Sequence, residues 1–425
     1  LLQEPSRNSR RAAGFSELRI AVVSPFVDRR HGTERALSEL LERLAYKYRC
    51  EVHLYSERVE DLKLSRHRQR GAGEAGGAIF WHKVPAVRGP HLLSFLCWVL
   101  FNTILRWSHR FFGGDSFDLV LSPGINCLDA HVVIVHALFH RLWKLARAAG
   151  VDNEQQVGFL RSRHRRAYYG LLTWLEIRIY ANPRVTLLAV SRRTANLLQR
   201  YFRRTDVPVI PNGVDTEEFS LSARLAGRKG ARRRRKLEDG DFVLLLIGND
   251  WRVKGLGTIL EAMAALPDLR LQLIVAGSDD GTHFREVAAR LGVEPRCRWE
   301  EPRHDVIDLY AAADVYVSPS HEDSFGLPVA EAMACGLPVI TSAHAGVAGQ
   351  IHHGVDGFVV PDANDARIVA HLLERLHRDA DFRQYIGEAA ARTAQDWTWD
   401  RNAAAVWERL KLVAGGKGRR ARADS

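Results

Sequence analysis

Asp323 and Glu331 are the two acids of the string Pro319-Ser-His-Glu-Asp323-Ser-Phe-Gly326-Leu-Pro328-Val-Ala-Glu331, with seven residues between them. Asp323 falls in a turn marked by Gly326. Glu331 falls about one turn into a helix that Pro328 suits at its start and Gly336-Leu-Pro338 closes. The preceding Ala313-Asp-Val-Tyr-Val-Ser318 is a short β-rich run, so the unit reads strand, loop, helix. Backbone N–H groups at such a helix start, backed by the positive end of the helix dipole, can hold a diphosphate without a metal. The two carboxylates are placed to serve different parts of one ligand.

A second group follows the apolar run Phe242-Val-Leu-Leu-Leu-Ile-Gly248, in Asn249-Asp-Trp-Arg252-Val-Lys254-Gly255. Cations at a strand's carboxyl end and a helix start can neutralise charge growing on a departing diphosphate. The third candidate, His136, ends the strand-like His131-Val-Val-Ile-Val135, where an imidazole can position a substrate or exchange a proton. His131, His136 and His140 lack the carboxylate and cysteine companions of a metal site. Asp239-Gly-Asp241 precedes its strand and reads as a turn, so no metal and no cofactor is expected.

The elements that position these groups alternate. Arg19-Ile-Ala-Val-Val-Ser-Pro25 is a strand, residues 34–46 carry helical apolar spacing, and Glu51-Val-His-Leu-Tyr55 is a second strand. Further strands are expected at Phe117-Asp-Leu-Val-Leu-Ser122, at 131–135 and at Val185-Thr-Leu-Leu-Ala-Val190. The alternation restarts at Phe242 and passes through Leu271-Gln-Leu-Ile-Val-Ala-Gly277. Repeated βα units mean parallel sheets with helices on both faces, and ligands bind outside the strands' carboxyl ends. Two such domains with a cleft between them are expected. The loop Arg30-His-Gly32-Thr-Glu-Arg35 lacks G-x-G-x-x-G, which removes support for a dehydrogenase-type dinucleotide fold.

With 425 residues, 46% hydrophobic and 26% charged, the chain suits a globular protein of two domains. Its net charge of +11 favours anionic partners. The basic runs Arg228-Lys-Gly-Ala-Arg232-Arg-Arg-Arg-Lys236 and Lys417-Gly-Arg-Arg-Ala-Arg422 read as solvated loop, and without interleaved aromatics they do not suit nucleic acid. Five widely spaced cysteines without C-x-x-C suggest reduced thiols and a cytoplasmic setting. Residues 1–16 are polar and Arg-rich rather than a signal peptide. The apolar run Leu92-Leu-Ser-Phe-Leu-Cys-Trp-Val-Leu-Phe-Asn-Thr-Ile-Leu105 is shorter than the about 20 residues of a membrane span. Its collar of Arg88, His91, Arg106, Trp107, Arg110, Phe111 and Phe112 admits two readings, a core helix or peripheral contact with an anionic membrane surface.

The segment 319–339 resembles the acid-x7-acid motif of the retaining glycosyltransferases of family four, whose architecture is GT-B, two facing Rossmann-like doubly wound α/β domains. The resemblance runs from about residue 19 to 413. It includes Gly32 in a loop similar to Gly-Gly-x-Glu-Arg, with His31 replacing the first glycine, and Val207-Pro-Val-Ile-Pro-Asn212-Gly213-Val-Asp215 before the interdomain connection. It implies a metal-independent hexosyltransferase using a nucleotide diphosphate sugar. Asp323 would lie by the donor sugar, Ser324, Phe325, Gly326 and Leu327 by the phosphates, and Glu331 on the ribose hydroxyls. Lys254 matches the family lysine, Arg252 stands in for an arginine that Asn249 has displaced, and His136 matches a histidine near the reacting sugar. Gly32 and Arg303 complete the donor set, the base remaining open because Glu301 stands where a glycine is common. Asp323 itself departs from the usual Glu, so Glu322 could share its role.

The resemblance divides the chain into an N-terminal acceptor domain at 17–219, a basic linker at 220–240 and a nucleotide-sugar domain at 241–396. A closing helix at 397–413 packs toward the first domain, and a disordered basic tail follows at 414–425. The acceptor it suggests is a glycan or glycolipid, nearest in parts to lipopolysaccharide-core synthesis at the inner face of the cell membrane. A sugar-phosphate acceptor and a non-catalytic sugar-nucleotide or lipid-binding subunit are the alternatives.

Overall fold

Residues 20–23 and 243–246, Ile-Ala-Val-Val and Val-Leu-Leu-Leu, are wholly buried. Continuous burial of this kind belongs to central strands of a parallel sheet covered on both faces. The computed structural model describes residues 18–65, 77–112, 116–148, 159–303 and 305–423; the Arg-rich segment 1–16 lies outside them. The chain divides into one unit of Leu1–Ala189, Leu197–Pro208 and Ala403–Ser425 and another of Val190–Asn196 and Val209–Asn402.

The first unit holds β1 (Arg19–Val23), β2 (Phe26–Val27), α1 (Gly32–Glu42), β3 (Glu51–Ser56), β4 (Arg58–Val59) and β5 (Ala78–Lys83). It continues with α2 (His91–Phe112), β6 (Leu119–Pro123), β7 (Val132–Val135), α3 (Phe139–Ala148), α4 (Phe159–Tyr180) and β8 (Thr186–Ala189). Its sheet runs β5-β3-β1-β6-β7-β8, every ladder parallel. The helix α5 (Arg192–Phe202) is divided between the two units.

The second unit holds α6 (Leu221–Arg234), β9 (Phe242–Ile247), α7 (Leu256–Ala264), β10 (Leu271–Ala276), α8 (Thr282–Arg290), β11 (Cys297–Glu300) and α9 (Ile307–Ala312). Then come β12 (Val315–Ser318), α10 (Leu327–Ala334), β13 (Val339–Ser342), β14 (Phe358–Val360), α11 (Ala366–Arg378) and α12 (Ala380–Ala394). Its sheet runs β11-β10-β9-β12-β13-β14, again parallel throughout. Leu244, Leu246, Leu273, Val275 and Val317 from its strands pack with Leu256, Ile259, Leu260 and Leu373 from its helices. In this order the winding reverses between β9 and β12, and in the first sheet between β1 and β6. The loops leaving these adjacent strands are therefore where a doubly wound sheet opens a ligand crevice.

Two sequence expectations are corrected. The basic run expected as a solvated linker is the helix α6, assigned to the second unit. Arg224, Arg228 and Arg232 recur every four residues, so they share one helix face. Arg224 donates to the Cys335 carbonyl at 2.7 Å, Arg228 pairs with Asp314 at 2.5 Å, and the buried Arg232 donates to the Glu238 and Asp241 carbonyls at 2.6 and 2.8 Å. Of the tail expected to be disordered, residues 414–423 continue the last helix, α13 (Trp399–Ala423). Within the first unit, Trp407 of that helix stacks on Tyr48 with centroids 5.3 Å apart.

Candidate functional site

Lys254 leaves the loop after β9 and Asp323 the loop after β12, and their side chains form an ion pair. The close approach of the two loops depends on Gly255. Its φ of +81° is left-handed, and a Cβ there would sit 2.3 Å from the Pro319 carbonyl oxygen, so a side chain would force the loops apart. The N–H of His321 also donates to the Val253 carbonyl at 2.7 Å. Asn249, standing where the family arginine was expected, ties the β9 loop to the β10 loop, its Oδ1 accepting from the N–H and hydroxyl of Ser278, both at 2.9 Å.

The Asp323 loop is fixed on its other side by the turn after β13. The Asp323 N–H donates to the His344 carbonyl at 3.1 Å, and its carbonyl accepts from the Gly346 N–H at 2.9 Å. Asp323 Oδ1 accepts from the Phe325 N–H at 3.3 Å. Gly326, at φ +94°, turns the chain into α10. Pro328 carries no N–H, and Val329 and Ala330 donate to the Gly326 carbonyl at 3.0 and 3.2 Å, so the Leu327 amide is the first-turn N–H without a carbonyl partner within the helix. Phe325 and Leu327 bury their side chains beneath the turn, whereas Ser324 is half-buried. A lysine ammonium, a carboxylate and a helix N-terminus thus converge at the switch point.

Glu331 lies on the same helix, only 4% exposed, and accepts from the Tyr310 hydroxyl at 2.7 Å. Burial, and then the Glu331 charge, push the Tyr310 phenol well above its usual range, so it stays a donor. Glu322, considered as a deputy for Asp323, is held by Arg193, whose Nε and Nη2 lie 3.1 and 2.6 Å from its oxygens. The guanidinium of Arg252 is exposed and pairs with no carboxylate among the described residues. Arg303 pairs with Glu300 at 3.1 Å and Asp308 at 3.4 Å. No bond joins Arg252 or Arg303 to Asp323 or Glu331 among the described residues. Sequence reading missed Tyr310 and Arg193. Tyr310 left one signal, a phenol between Leu309 and Ala311 in an apolar stretch, which needs a hydrogen-bond partner when buried; Arg193 left none, because its partner is 129 residues away.

In the first unit Gly32 opens α1 after β1 and is exposed. The turn before it is closed by Asp28, whose Oδ1 accepts from the Arg30 and His31 N–H groups at 2.9 and 3.0 Å. His136 follows β7, 9% exposed, and neither ring nitrogen completes a hydrogen bond. Burial depresses its pKa to about 4, the Ile134 carbonyl offsetting only part of the effect. A buried polar group without a partner is rare enough to require an explanation, and here the orphaned nitrogens suit a ligand.

His136 has a measurable consequence. Between pH 6.5 and about 4 the unfolded chain binds a proton that folded His136 refuses. Its stabilising share is therefore complete above about pH 6.5 and lost as pH falls toward 4, about 3 kcal/mol in all. In urea titrations across this window, His136→Gln should flatten the acid-side loss by that order; unchanged steepness would remove His136 as its source.

Among the described residues, no group of three or more His, Cys, Asp and Glu is arranged to hold a metal ion. Known families account for both units. Residues 30–218 match the family described as Glycosyltransferase Family 4, and residues 228–393 match Glycosyl transferases group 1. The chain belongs to glycosyltransferase family 4. This family-4 chain is 34% identical over 230 residues to the D-inositol 3-phosphate glycosyltransferase of Salinispora arenicola, covering 50% of this chain and 51% of that one. It is 30% identical over 252 residues to the same-named protein of Corynebacterium diphtheriae, covering 56% and 58%. The chain thus spans about half the length of the curated relatives it matches. Solved structures share the GT-B fold of two Rossmann-like units. WaaG, a glycosyltransferase involved in lipopolysaccharide biosynthesis, matches with TM-score 0.71 at 20% identity over 93% of this chain and all of that one. Anabaena Alr3699/HepE in complex with UDP and glucose matches with TM-score 0.66 at 17% identity over 93% and 100%.

Proposed function

We propose that the chain transfers a hexose, with retention and without a metal, from a nucleotide diphosphate sugar to an acceptor hydroxyl. The observation that carries this reading is the Lys254–Asp323 pair beside the glycine-initiated helix at the β9/β12 switch point. In this reading Lys254 and the Leu327 amide at the start of α10 balance the negative charge that grows on the diphosphate as the sugar C1–oxygen bond breaks. Asp323 accepts from donor-sugar hydroxyls and Glu331 from the ribose. The new C1–oxygen bond forms to the acceptor on the face the phosphate leaves, and the departing phosphate oxygen takes the acceptor proton. No protein nucleophile is assigned. Gly32 belongs to the donor set, and the neutral imidazole of His136 can hydrogen-bond a sugar hydroxyl.

The acceptor is a hydroxyl of a glycan or glycolipid, as at a cell-surface polysaccharide. A second reading, a sugar-phosphate acceptor, is favoured by the names of the curated relatives. Calorimetric titration with UDP, GDP, ADP and their hexose conjugates, with and without EDTA, tests the donor half. One nucleotide bound selectively and unaffected by EDTA is the expected result. Binding abolished by EDTA would overturn metal independence, and no binding to any member would favour a non-catalytic role.

A further inference from the structure

The helix α2 is amphipathic with its faces reversed. Against the first unit it buries Asn102 and Arg106, with Trp98 between them and the helix start. Arg106 forms a two-pronged pair with Asp129 at 2.5 and 2.8 Å and donates to Asn102 at 3.2 Å. Its outward face carries Leu93, Leu96, Leu100, Ile104, Trp107 and Phe111, spaced at threes and fours and 47 to 71% exposed. A core helix turns such a stripe inward, so the core reading of this segment is corrected. The stripe runs along a helix of 22 residues, roughly 33 Å long at the usual rise. An apolar face of that extent on a water-facing helix marks an interaction surface.

The charge around it selects the partner. Lys83, Arg88 and Arg110 are exposed, and residues 75–114 contain no Asp or Glu. The neighbouring α4 contacts α2 through Tyr168 beside His91 and Phe95. Asp129 is paired with Arg106 and Glu176 is wholly buried. Trp174 and Ile177 add exposed apolar surface on α4. A second copy docking through the same patch would bring cations against cations, since a two-fold interface is self-complementary. No helix among the described residues is long and apolar enough to cross a membrane, so this one lies along a surface.

We propose that the α2 face is a docking site for an anionic phospholipid bilayer, with the leucine stripe seated at the acyl boundary and the flanking arginines among the headgroup phosphates. The proposal is independent of the transferase reading, and its test reads no activity. The full chain is sedimented with vesicles of phosphatidylcholine alone and of equimolar phosphatidylcholine and phosphatidylglycerol. Binding is expected only to the anionic vesicles and is expected to weaken with salt, as headgroup attraction is screened. Leu100→Glu with Ile104→Glu should reduce partitioning by about 10-fold or more, and Arg110→Glu should reduce it on anionic vesicles. Both glutamates replace side chains that are more than half exposed, and an unchanged thermal midpoint verifies the fold; the wild-type salt response tests the proposal even if they misfold. Failure of the wild type to bind anionic vesicles, or undiminished binding by the folded double variant, overturns the proposal. So does a lipid-free dimer that the double variant dissolves, which would make the stripe a contact between copies.

Discussion

Lys254→Ala should lower kcat/KM by about two to three orders of magnitude, most of it in kcat. The loss of one preorganised positive group aimed at developing charge is worth about that much, and Lys254 is the cation in direct contact with Asp323. Removing it also leaves Asp323 without its counter-ion, so donor affinity should shift as well, though by less. Lys254→Arg should recover only part of the rate, because a planar fork does not reproduce a point charge on a flexible stem. Steady-state rates with the donor identified by calorimetry provide the measurement. A kcat within a few-fold of wild type in Lys254→Ala would end the leaving-group assignment.

Glu331→Ala should weaken nucleotide binding by roughly 10- to 100-fold. A hydrogen bond to a charged acceptor is worth about 1.5–3 kcal/mol, and the carboxylate is already oriented by the Tyr310 hydroxyl. Tyr310→Phe separates the two contributions, since it keeps the carboxylate and removes only the group that aims it. Its effect on Kd should be smaller than that of Glu331→Ala. Equal binding by Glu331→Ala and wild type would place the ribose elsewhere. A loss confined to folding stability would make the pair a structural bond between α9 and α10.

Much of the fold was legible because periodicity and burial agree. The continuous apolar runs at β1 and β9 could only be covered strands, and the acid-turn-helix unit at 319–331 carried its own start and stop signals. Asp323, Lys254 and the Gly326 turn were therefore legible as candidates from residue type and place. Their direct pairing was not, because it depends on β9 and β12 lying side by side although about 70 residues separate them. The arginine ladder of α6 was misread for a related reason. A run of cations reads as solvated unless its partners are known, and Asp314 and the Cys335 carbonyl lie 82 to 111 residues away. The α2 helix failed differently: its composition admitted both a core and a surface helix, and only the direction its leucines face distinguishes them.

That arginine ladder also changes where the donor-binding half can be cut. Arg235 reaches Asp308 at 2.8 Å and Glu300 at 2.6 Å. Asp308 lies on α9, the helix that carries Tyr310 to Glu331. A fragment beginning at residue 241, where composition suggests a seam, would leave the part-buried Asp314 without Arg228 and Arg232 and the buried Asp308 with only its 3.4 Å contact to Arg303, and an under-compensated buried charge is among the costlier defects a fold can carry. The transplantable module begins before Ser220, whose hydroxyl caps α6, and a chimaera joined there would take the basic run with it as an internal brace rather than leave it behind as a tether.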